Sequence, residues 1–296
     1  MTNLANSMAA PRQALLTGAA KVAGVVGSPV RHSLSPRLHG AWIRALDLDA
    51  SYVPLTTSKE RFPYLIEGLR GGVITGLNVT LPFKSLVLTL ADNVEDLARR
   101  AGAANLLLFK DNGEIEARNT DGLGLLYAFG RQAPGWSAAS GPIAILGAGG
   151  AARGAVIALQ DAGATDIRIV NRTRSRAEDL ANDLGCTAFD FRDADSAFDG
   201  AMTVINTTSA QLEEGGELPS PPKPTADAVA MDMVYKPLQT PFLEHCHRLG
   251  YRCVDGLDML IGQAIPSFEA LFGRAPPGEI DARQVLLGDA ALRESL

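Results

Sequence analysis

Cysteine is scarce in this chain of 296 residues, which contains only Cys186, Cys246 and Cys253. An odd, scattered set of three does not make the disulfide framework of a secreted domain, so we predict a reduced, cytoplasmic compartment. Uninterrupted apolar runs of about 18 residues are absent as well, which argues against a transmembrane helix. Residues 1–20 have no compact apolar core behind a basic end, and we therefore predict no signal peptide.

Positive charge is also in short supply. The sequence carries 27 Lys and Arg against 33 Asp and Glu, which gives a formal net charge of −6. Nucleic acids and anionic membranes bind basic surfaces, so neither is an expected partner, although a local basic pocket is still allowed. With 46% hydrophobic and 20% charged residues, the composition is typical of a soluble globular protein, and the length allows two domains.

Short apolar runs alternate with amphipathic stretches along the whole chain, which indicates an α/β fold. In the first part we predict strands at 21–27 and 50–55 and helices at 35–48 and 58–70. The stretch 105–119 has the pattern of a β-hairpin that turns at "DNG".

The second part of the chain has the pattern of strands connected by helices. We predict a helix at 120–132, followed by a linker rich in Gly, Pro and Ser. A strand, a glycine turn and a helix then follow over 143–163, with further strands at 166–173, 202–208 and 228–235.

The change of pattern near residue 120 predicts a domain boundary there. A helix at 256–273 is apolar nearly all round, so we expect it to be buried and packed back on the first domain. The predicted division is therefore 1–120 plus 256–296 for one domain and 121–255 for the other.

The segment "GAGGAA" at 147–152 matches the G-x-G-x-x-G/A fingerprint of dinucleotide-binding proteins. Gly147 would permit the tight turn, Gly149 would let the backbone approach a pyrophosphate, and Ala152 would allow close packing of helix on strand. The motif follows a strand and opens a helix, as this function requires, whereas a plain glycine turn is the structural alternative. The predicted cofactor contacts are with Gly147, Ala148, Gly149, Gly150 and Ala151.

The next predicted strand indicates which dinucleotide binds. It ends in "IVNRTRSR" (169–176), with no acid between Asp166 and Glu178 to accept hydrogen bonds from the ribose of NAD. Arg172, Arg174 and the Thr173 hydroxyl could instead hold a 2′-phosphate, which predicts NADP(H) as the cofactor. A solvated basic helix start is the alternative explanation.

One cation, Lys84, closes the otherwise uncharged stretch "GLNVTLPFKS" (76–85), with no acid beside it. A solvated lysine at a helix start is the plain explanation. Asp121 in "NTDG" (119–122) is a candidate partner, although those four letters alone more often form a turn or a cap. In "HSLSP" (32–36), Ser35 is predicted to be a helix N-cap, a role that leaves Ser33 without a local purpose.

Nine motifs in order resemble the shikimate dehydrogenase family over about residues 21–273. They are "SLSPRLH", "NVTLPFK", "GAAN", "NTDG", "GAGGAAR", "NRT", "NTTS", "YKPLQT" and "GLDMLIGQ". The resemblance implies an N-terminal mixed α/β substrate domain, a C-terminal Rossmann domain and final helices that return to the first. It also implies the NADPH-dependent reduction of 3-dehydroshikimate to shikimate on the chorismate route to aromatic amino acids.

The resemblance assigns roles to single residues. Lys84 and Asp121 match the catalytic pair, in which the ammonium would give a proton to the ketone oxygen while the carboxylate orients it. The residues that match substrate-binding positions are Ser33, Ser35, Thr80, Asn105, Tyr235 and Gln263. Those that match the cofactor site beyond the glycine turn are Asn171, Arg172, Thr173, Arg174 and Thr207. The chain departs from the family pattern at Gly40, Leu106 and Ala210–Gln211, the last near the nicotinamide end.

Alternatives stay open at this point. A quinate or dual quinate/shikimate dehydrogenase using NAD(P) would have the same motifs, and a non-catalytic NADP-binding regulator would be expected to lose Lys84 or Asp121. A glutamyl-tRNA reductase would need a cysteine nucleophile in its first domain, where this chain has none. Zinc at "HCHRLGYRC" (245–253) is disfavoured because alternate helix positions diverge, so no metal is predicted. A homodimer is an allowed assembly.

Overall fold

The computed structural model describes residues 16–212, 216–224 and 227–288. The prediction about a signal peptide therefore concerns residues that lie mostly outside the described range, as does the end of the predicted substrate domain at 289–296. Within the described residues, no helix is both long enough and apolar enough to cross a membrane.

Residues 21–118, all of which are described, form a mixed α/β unit around one sheet. Its elements are β1 (Lys21–Gly27), α1 (Ser35–Ala45), β2 (Ala50–Thr56), α2 (Phe62–Gly68), β3 (Ile74–Val79), β4 (Asn93–Val94), α3 (Asp96–Ala101), β5 (Leu106–Phe109) and β6 (Ile115–Arg118). The strand order is β2-β1-β3-β5-β6-β4. β1 is parallel to β2 and β3, whereas β5 is antiparallel to β3 and to β6, with which it forms the predicted hairpin.

The chain from residue 121 onward alternates helices with the strands of a second sheet. Its elements are α4 (Asp121–Gln132), β7 (Ile143–Leu146), α5 (Gly150–Asp161), β8 (Ile167–Asn171), α6 (Arg174–Leu184), β9 (Thr187–Asp190), α7 (Ala194–Phe198), β10 (Thr203–Asn206), β11 (Val229–Asp232), α8 (Pro241–Leu249), β12 (Arg252–Val254), α9 (Leu257–Phe272) and α10 (Ala282–Leu287). The order of this sheet is β12-β11-β10-β7-β8-β9, and all of its pairings are parallel.

The central strand β7 explains why this part of the sequence is apolar without alternation. Ile143 and Ile145 lie in one hydrophobic core, and Ala144 and Leu146 lie in another on the opposite face. A parallel sheet covered on both faces buries every residue of such a strand. The sheet is therefore doubly wound, and the predicted fold class of two α/β parts, one of them Rossmann-like, is confirmed.

Helices α4 and α9 join the two sheets. As predicted, α9 belongs to the core of the first part, where Phe268 packs near Trp42 at a ring separation of 5.3 Å. α4 contributes Leu125 and Phe129 to the core of the second part. The backbone of α4 comes so close to α9 that a Cβ at Gly124 would lie 2.4 Å from the Met259 carbonyl oxygen. The division into domains at residues 120 and 255 stays a prediction.

Several element predictions are corrected by the structure. Helix α1 begins at Ser35, so Ser35 is not its N-cap. Instead the Ser33 hydroxyl accepts a hydrogen bond from the Ser35 N–H (3.3 Å), which gives Ser33 a local role that was not predicted for it. Helix α2 begins only at Phe62, because Pro63 is tolerated in a first turn but not in a helix interior. Strands β4, β9 and β12 were not predicted, because β4 and β12 have only two and three residues and β9 has no buried residue that would give it an apolar run.

The close approach of α4 to α9 predicts opposite effects for two glycines on one helix. Gly124→Ala is expected to destabilise the protein by about 1–3 kcal/mol, because the new methyl group meets a backbone carbonyl that must move. Gly130→Ala, where a Cβ would have no neighbour within 4 Å, is expected to stabilise it by about 0.5–1 kcal/mol through backbone entropy. Urea unfolding of both variants measures this, and equal effects would contradict the packing argument.

Candidate active site

The loop after β3 presents Lys84 from a firmly anchored backbone. Phe83 is fully buried and stacks on Phe62 with ring centroids 4.2 Å apart. The Lys84 carbonyl oxygen accepts a hydrogen bond from the Ala104 N–H at 2.8 Å. A short 3₁₀ helix begins only at Leu86, so Lys84 does not start an α-helix. The buried neighbour and the backbone bond limit where the lysine side chain can reach.

The Lys84 ammonium forms an ion pair with Asp121, with Nζ and Oδ2 2.7 Å apart. Asp121 is the first residue of α4, and its N–H donates to the Asn119 side-chain oxygen at 2.9 Å. The two side chains are 28% and 24% exposed, so the pair is open to a ligand but partly shielded from water. The plain explanation of Lys84 as a solvated surface lysine is therefore wrong.

Asn105 holds the carboxylate of this pair from behind. Its side-chain nitrogen donates to Asp121 Oδ1 at 2.9 Å and lies 3.2 Å from the Gln263 side-chain oxygen. Its side-chain oxygen accepts from the Thr120 N–H at 2.8 Å. Both ends of the Asn105 amide are thereby committed, and they orient Asp121 and Gln263 relative to each other.

A cavity of about 310 Å³ opens beside the ion pair. It brings together both predicted catalytic residues and all of the predicted substrate-binding residues, which are Ser33, Ser35, Thr80, Lys84, Asn105, Asp121, Tyr235 and Gln263. Burial raises the pKa of the Tyr235 phenol, which therefore stays a neutral hydrogen-bond donor. A small space rich in neutral donors, with one cation, suits a small polar anion.

Asn78 also lines this cavity, although no role was predicted for it from the sequence. It is 6% exposed, and its side-chain oxygen accepts a hydrogen bond from the Tyr52 hydroxyl at 2.8 Å. Its position two residues before Thr80 in "NVTLPFK" was the available signal, because alternate residues of a strand point to the same face.

A second cavity of about 590 Å³ shares Thr80, Lys84, Asp121 and Tyr235 with the first. It extends from the ion pair to Gly150 and the residues that follow it at the start of α5. The Lys84–Asp121 pair therefore lies where a substrate-sized space meets a longer cleft that leads to the glycine turn.

The glycine turn has the geometry that a dinucleotide requires. Gly147 has a φ of +111°, and a Cβ there would lie 2.5 Å from the Thr207 hydroxyl. A Cβ at Gly149 or Gly150 would instead have no protein atom within 4 Å, so the space above the turn is open. The exposed N-terminus of α5 offers backbone N–H groups and a positive dipole end to a pyrophosphate. These residues fit the cofactor.

The structure separates the arginines that follow β8. Arg174 forms ion pairs with Glu178 (2.8 Å) and Asp193 (3.4 Å). Arg176, which was not among the predicted residues, lines a cavity of about 360 Å³ together with Gly149 and other residues of α5 and α6. Residues two apart on a helix leave it about 200° apart, and of these two it is Arg176 that lines the cavity beside the glycine turn.

The other predicted residues at this end lie in the turn between β8 and α6. The Asn171 side chain donates to the Thr173 carbonyl oxygen at 2.8 Å and closes the turn, and Arg172 lies between them.

Over the described stretches of the chain, the structure has no group of His, Cys, Asp and Glu side chains that could hold a metal ion.

Comparison with known families gives two matches along the chain. Residues 25–107 match the shikimate dehydrogenase substrate binding domain, and residues 132–213 match the shikimate / quinate 5-dehydrogenase family. Among curated relatives, shikimate dehydrogenase (NADP(+)) of Caulobacter vibrioides is 51% identical over 278 residues, which cover 92% of this chain and 96% of the relative.

Solved structures give the same result. Shikimate dehydrogenase from Aquifex aeolicus has a TM-score of 0.82 and 31% identity, with coverage of 93% of this chain and 100% of that chain. Shikimate 5-dehydrogenase from Thermus thermophilus, solved in complex with NADP(H) and shikimate, has a TM-score of 0.79 and 33% identity, with coverage of 94% and 100%.

A mixed α/β part joined to a Rossmann-like part, with a cleft between them, defines a two-domain oxidoreductase of the nicotinamide-nucleotide class. Within that class, the share of the chain that the matches cover and their sequence identity decide the family. The chain belongs to the shikimate dehydrogenase family, and the resemblance predicted from its motifs is confirmed.

The core behind the cavity contains His39, a histidine with no polar partner. It is fully buried against Trp42, Tyr52 and Phe268, and neither ring nitrogen has a hydrogen bond. Burial lowers the pKa of His39 from its ordinary 6.5 to about 3. Below pH 6.5 the unfolded chain therefore takes up a proton that the native state refuses, and stability falls as pH falls.

This burial predicts a measurable pH dependence of stability. Between about pH 7.5 and about pH 5.5, His39 is expected to remove about 1.4 kcal/mol from the free energy of unfolding. In His39→Phe this loss should disappear, whatever the absolute stability of the variant. Urea unfolding of both proteins at the two pH values measures the difference, and identical pH slopes would show that His39 is not buried in the neutral form.

Proposed function

We propose that this chain catalyses the reversible, NADPH-dependent reduction of 3-dehydroshikimate to shikimate, on the chorismate route to aromatic amino acids. The observation that carries the proposal is the Lys84–Asp121 ion pair, which lies where a small polar cavity meets the cleft from the glycine turn. The family of the chain and the NADP-dependent relatives support it.

Lys84 is the general acid of the proposed reaction. Negative charge develops on the ketone oxygen of the substrate during reduction, and an ammonium at that oxygen stabilises the charge and delivers the proton. In the reverse direction the neutral amine accepts the proton from the substrate hydroxyl. Asp121 orients the ammonium through its 2.7 Å contact, and Asn105 in turn holds Asp121. NADPH, when bound, supplies the hydride to the ketone carbon.

The substrate is held mainly by neutral groups in this proposal. The Ser33, Ser35 and Thr80 hydroxyls and the remaining N–H of the Gln263 amide offer donors to one carboxylate and the ring hydroxyls. Asn105 lines the same space, and because its amide hydrogens are already used it holds Asp121 and Gln263 in place. The phenol of Tyr235 closes the side toward the cofactor cleft, since it lines both cavities. Because the ion pair is neutral as a whole, an anionic substrate does not meet the repulsion that a lone carboxylate would exert.

The cofactor phosphate is assigned to the basic turn after β8. Arg172 and the Thr173 hydroxyl remain the proposed 2′-phosphate ligands, and Arg176 joins them because it lines the cavity beside Gly149. Arg174 is assigned the minor role, since its guanidinium is held by two carboxylates.

The cytoplasmic location, for which the three free thiols argue, and a homodimeric assembly stay predictions.

A spectrophotometric assay of shikimate and of quinate, each with NADP and with NAD, tests the proposed function. Shikimate with NADP is expected to give the highest kcat/KM. Quinate carries one extra hydroxyl, and a site built from polar groups can discriminate strongly on such a group. A higher kcat/KM with quinate would replace the proposed substrate, and no turnover of either acid would favour a non-catalytic NADP-binding protein.

Removal of the proposed acid is expected to affect chemistry and spare the cofactor. Lys84→Ala should lower kcat about 10²- to 10⁴-fold, with the affinity for NADP(H) nearly unchanged. Lys59→Ala, at an exposed position away from the cavities, is the matched control and should behave as the wild-type protein. Steady-state kinetics and NADPH fluorescence titration measure both quantities, and loss of NADPH binding in Lys84→Ala would count against the assignment.

The arrangement of arginines predicts a graded effect on cofactor choice. Arg172→Ala and Arg176→Ala should weaken NADPH about 10- to 100-fold while hardly changing NADH, because only the former carries the 2′-phosphate. Arg174→Ala should change either affinity by less than about threefold, because its guanidinium is engaged by Glu178 and Asp193. Equal weakening of NADPH and NADH by Arg172→Ala would refute this view of the phosphate site.

A further inference from the structure

Tyr52 lies directly behind the substrate cavity without lining it. It belongs to β2, is 7% exposed, and donates a hydrogen bond from its hydroxyl to the Asn78 side-chain oxygen at 2.8 Å. Asn78 does line the cavity. A single hydrogen bond, to Asn78, therefore connects the phenol to the wall of the space that the proposed function assigns to the substrate.

The hydrogen bonds of Asn78 determine what it can offer a ligand. Its side-chain nitrogen donates to the Asn105 carbonyl oxygen and to the Ser267 hydroxyl, each at 3.1 Å, so both of its hydrogens are used. Its oxygen has two lone pairs, and Tyr52 occupies one. What remains is a single acceptor, which can take a hydrogen bond from a substrate hydroxyl.

Burial keeps the Tyr52 hydroxyl a neutral donor. It raises the pKa of the phenol well above its ordinary value, so the hydroxyl keeps its proton. The hydrogen bond that this hydroxyl donates goes to Asn78 on β3, which lines the cavity. A single buried donor therefore fixes one residue that faces the substrate.

The ring of Tyr52 is held by packing alone. His39 stacks on it with centroids 4.1 Å apart and an interplanar angle of 10°, and both rings are buried beside Trp42. Since the His39 nitrogens bond to nothing, the imidazole acts here as a flat apolar surface. The packing of the ring therefore places the phenol hydroxyl at the back of the cavity, against the Asn78 side chain.

We propose that Tyr52 is a positioning residue for substrate recognition, whose hydroxyl holds the Asn78 acceptor in the orientation that a hydroxylated carboxylate substrate needs. The inference rests on the proposed function. It differs from a purely structural role because it predicts an effect confined to the acid substrate. Asn78 does not line the cofactor cleft.

Tyr52→Phe removes the hydroxyl and keeps the stacked ring. We expect the KM for shikimate to rise about tenfold, with kcat within about threefold and the KM for NADP unchanged, since one buried hydrogen bond next to the substrate is lost. Tyr127→Phe is the matched control, because that phenol lies outside both cavities and should leave all three constants unchanged.

A double variant tests whether Tyr52 acts through Asn78. Asn78→Ala alone should raise the KM for shikimate at least as much as Tyr52→Phe does. If the two residues form one unit, adding Tyr52→Phe to Asn78→Ala should change this KM by less than about twofold. Fully additive effects would mean that Tyr52 acts elsewhere and would overturn the inference.

The remaining outcomes are also decisive. An unchanged KM for shikimate in Tyr52→Phe, or an equal rise in the KM for NADP, overturns the inference while wild-type turnover of shikimate leaves the proposed function intact. Loss of a cooperative unfolding transition in Tyr52→Phe would show that the hydroxyl serves the fold, and would overturn it as well. No turnover by the wild-type protein would remove the proposed function and this inference together.

Discussion

The ion pair between Lys84 and Asp121 is the contact on which the rest of the site depends. It joins a loop of the first sheet to the first residue of α4, the helix that leads into the second sheet. A charge pair with only about a quarter of each side chain exposed is stabilised by nearby hydrogen bonds, because water contributes less there. Asn105 and Asn119 supply those bonds to the carboxylate and to its backbone. The position of the Lys84 ammonium, the proposed proton donor, is thus set by both parts of the molecule at once.

Close backbone packing makes this arrangement rigid. α4 can lie against α9 only because Gly124 has no side chain, and α9 carries Gln263, which contacts Asn105. The helix that starts with Asp121, the proposed catalytic carboxylate, and the helix that bears Gln263, a proposed substrate ligand, are therefore in direct contact. Behind them, Asn78, Thr120 and Ser267 share hydrogen bonds in a buried polar layer. Such a layer is stable only when its members are paired, so it also restrains the side chains at the cavity surface.

Different parts of the site could be predicted to different degrees. The glycine turn was predictable from residues alone, since the motif, the preceding strand and the following helix are continuous in sequence. The pairing of Lys84 with Asp121 was suggested only by family resemblance, because the two residues are 37 positions apart and nothing local connects them. Arg174 and Arg176 look equivalent in sequence, whereas helical geometry turns them to different sides. Ser33 was given no local role because its bond to the Ser35 N–H depends on where α1 begins.

The sequence by itself determined the α/β class, the apolar central strand, the dinucleotide turn and the absence of an acid that would favour NAD. These are local properties, set by composition, periodicity and neighbouring residues. Only the tertiary structure decided which carboxylates Lys84 and Arg174 pair with, which amide donates to Asp121, and that a neutral His39 lies against Tyr52. Those outcomes depend on burial and on contacts between distant segments, and such contacts exist only once the chain has folded.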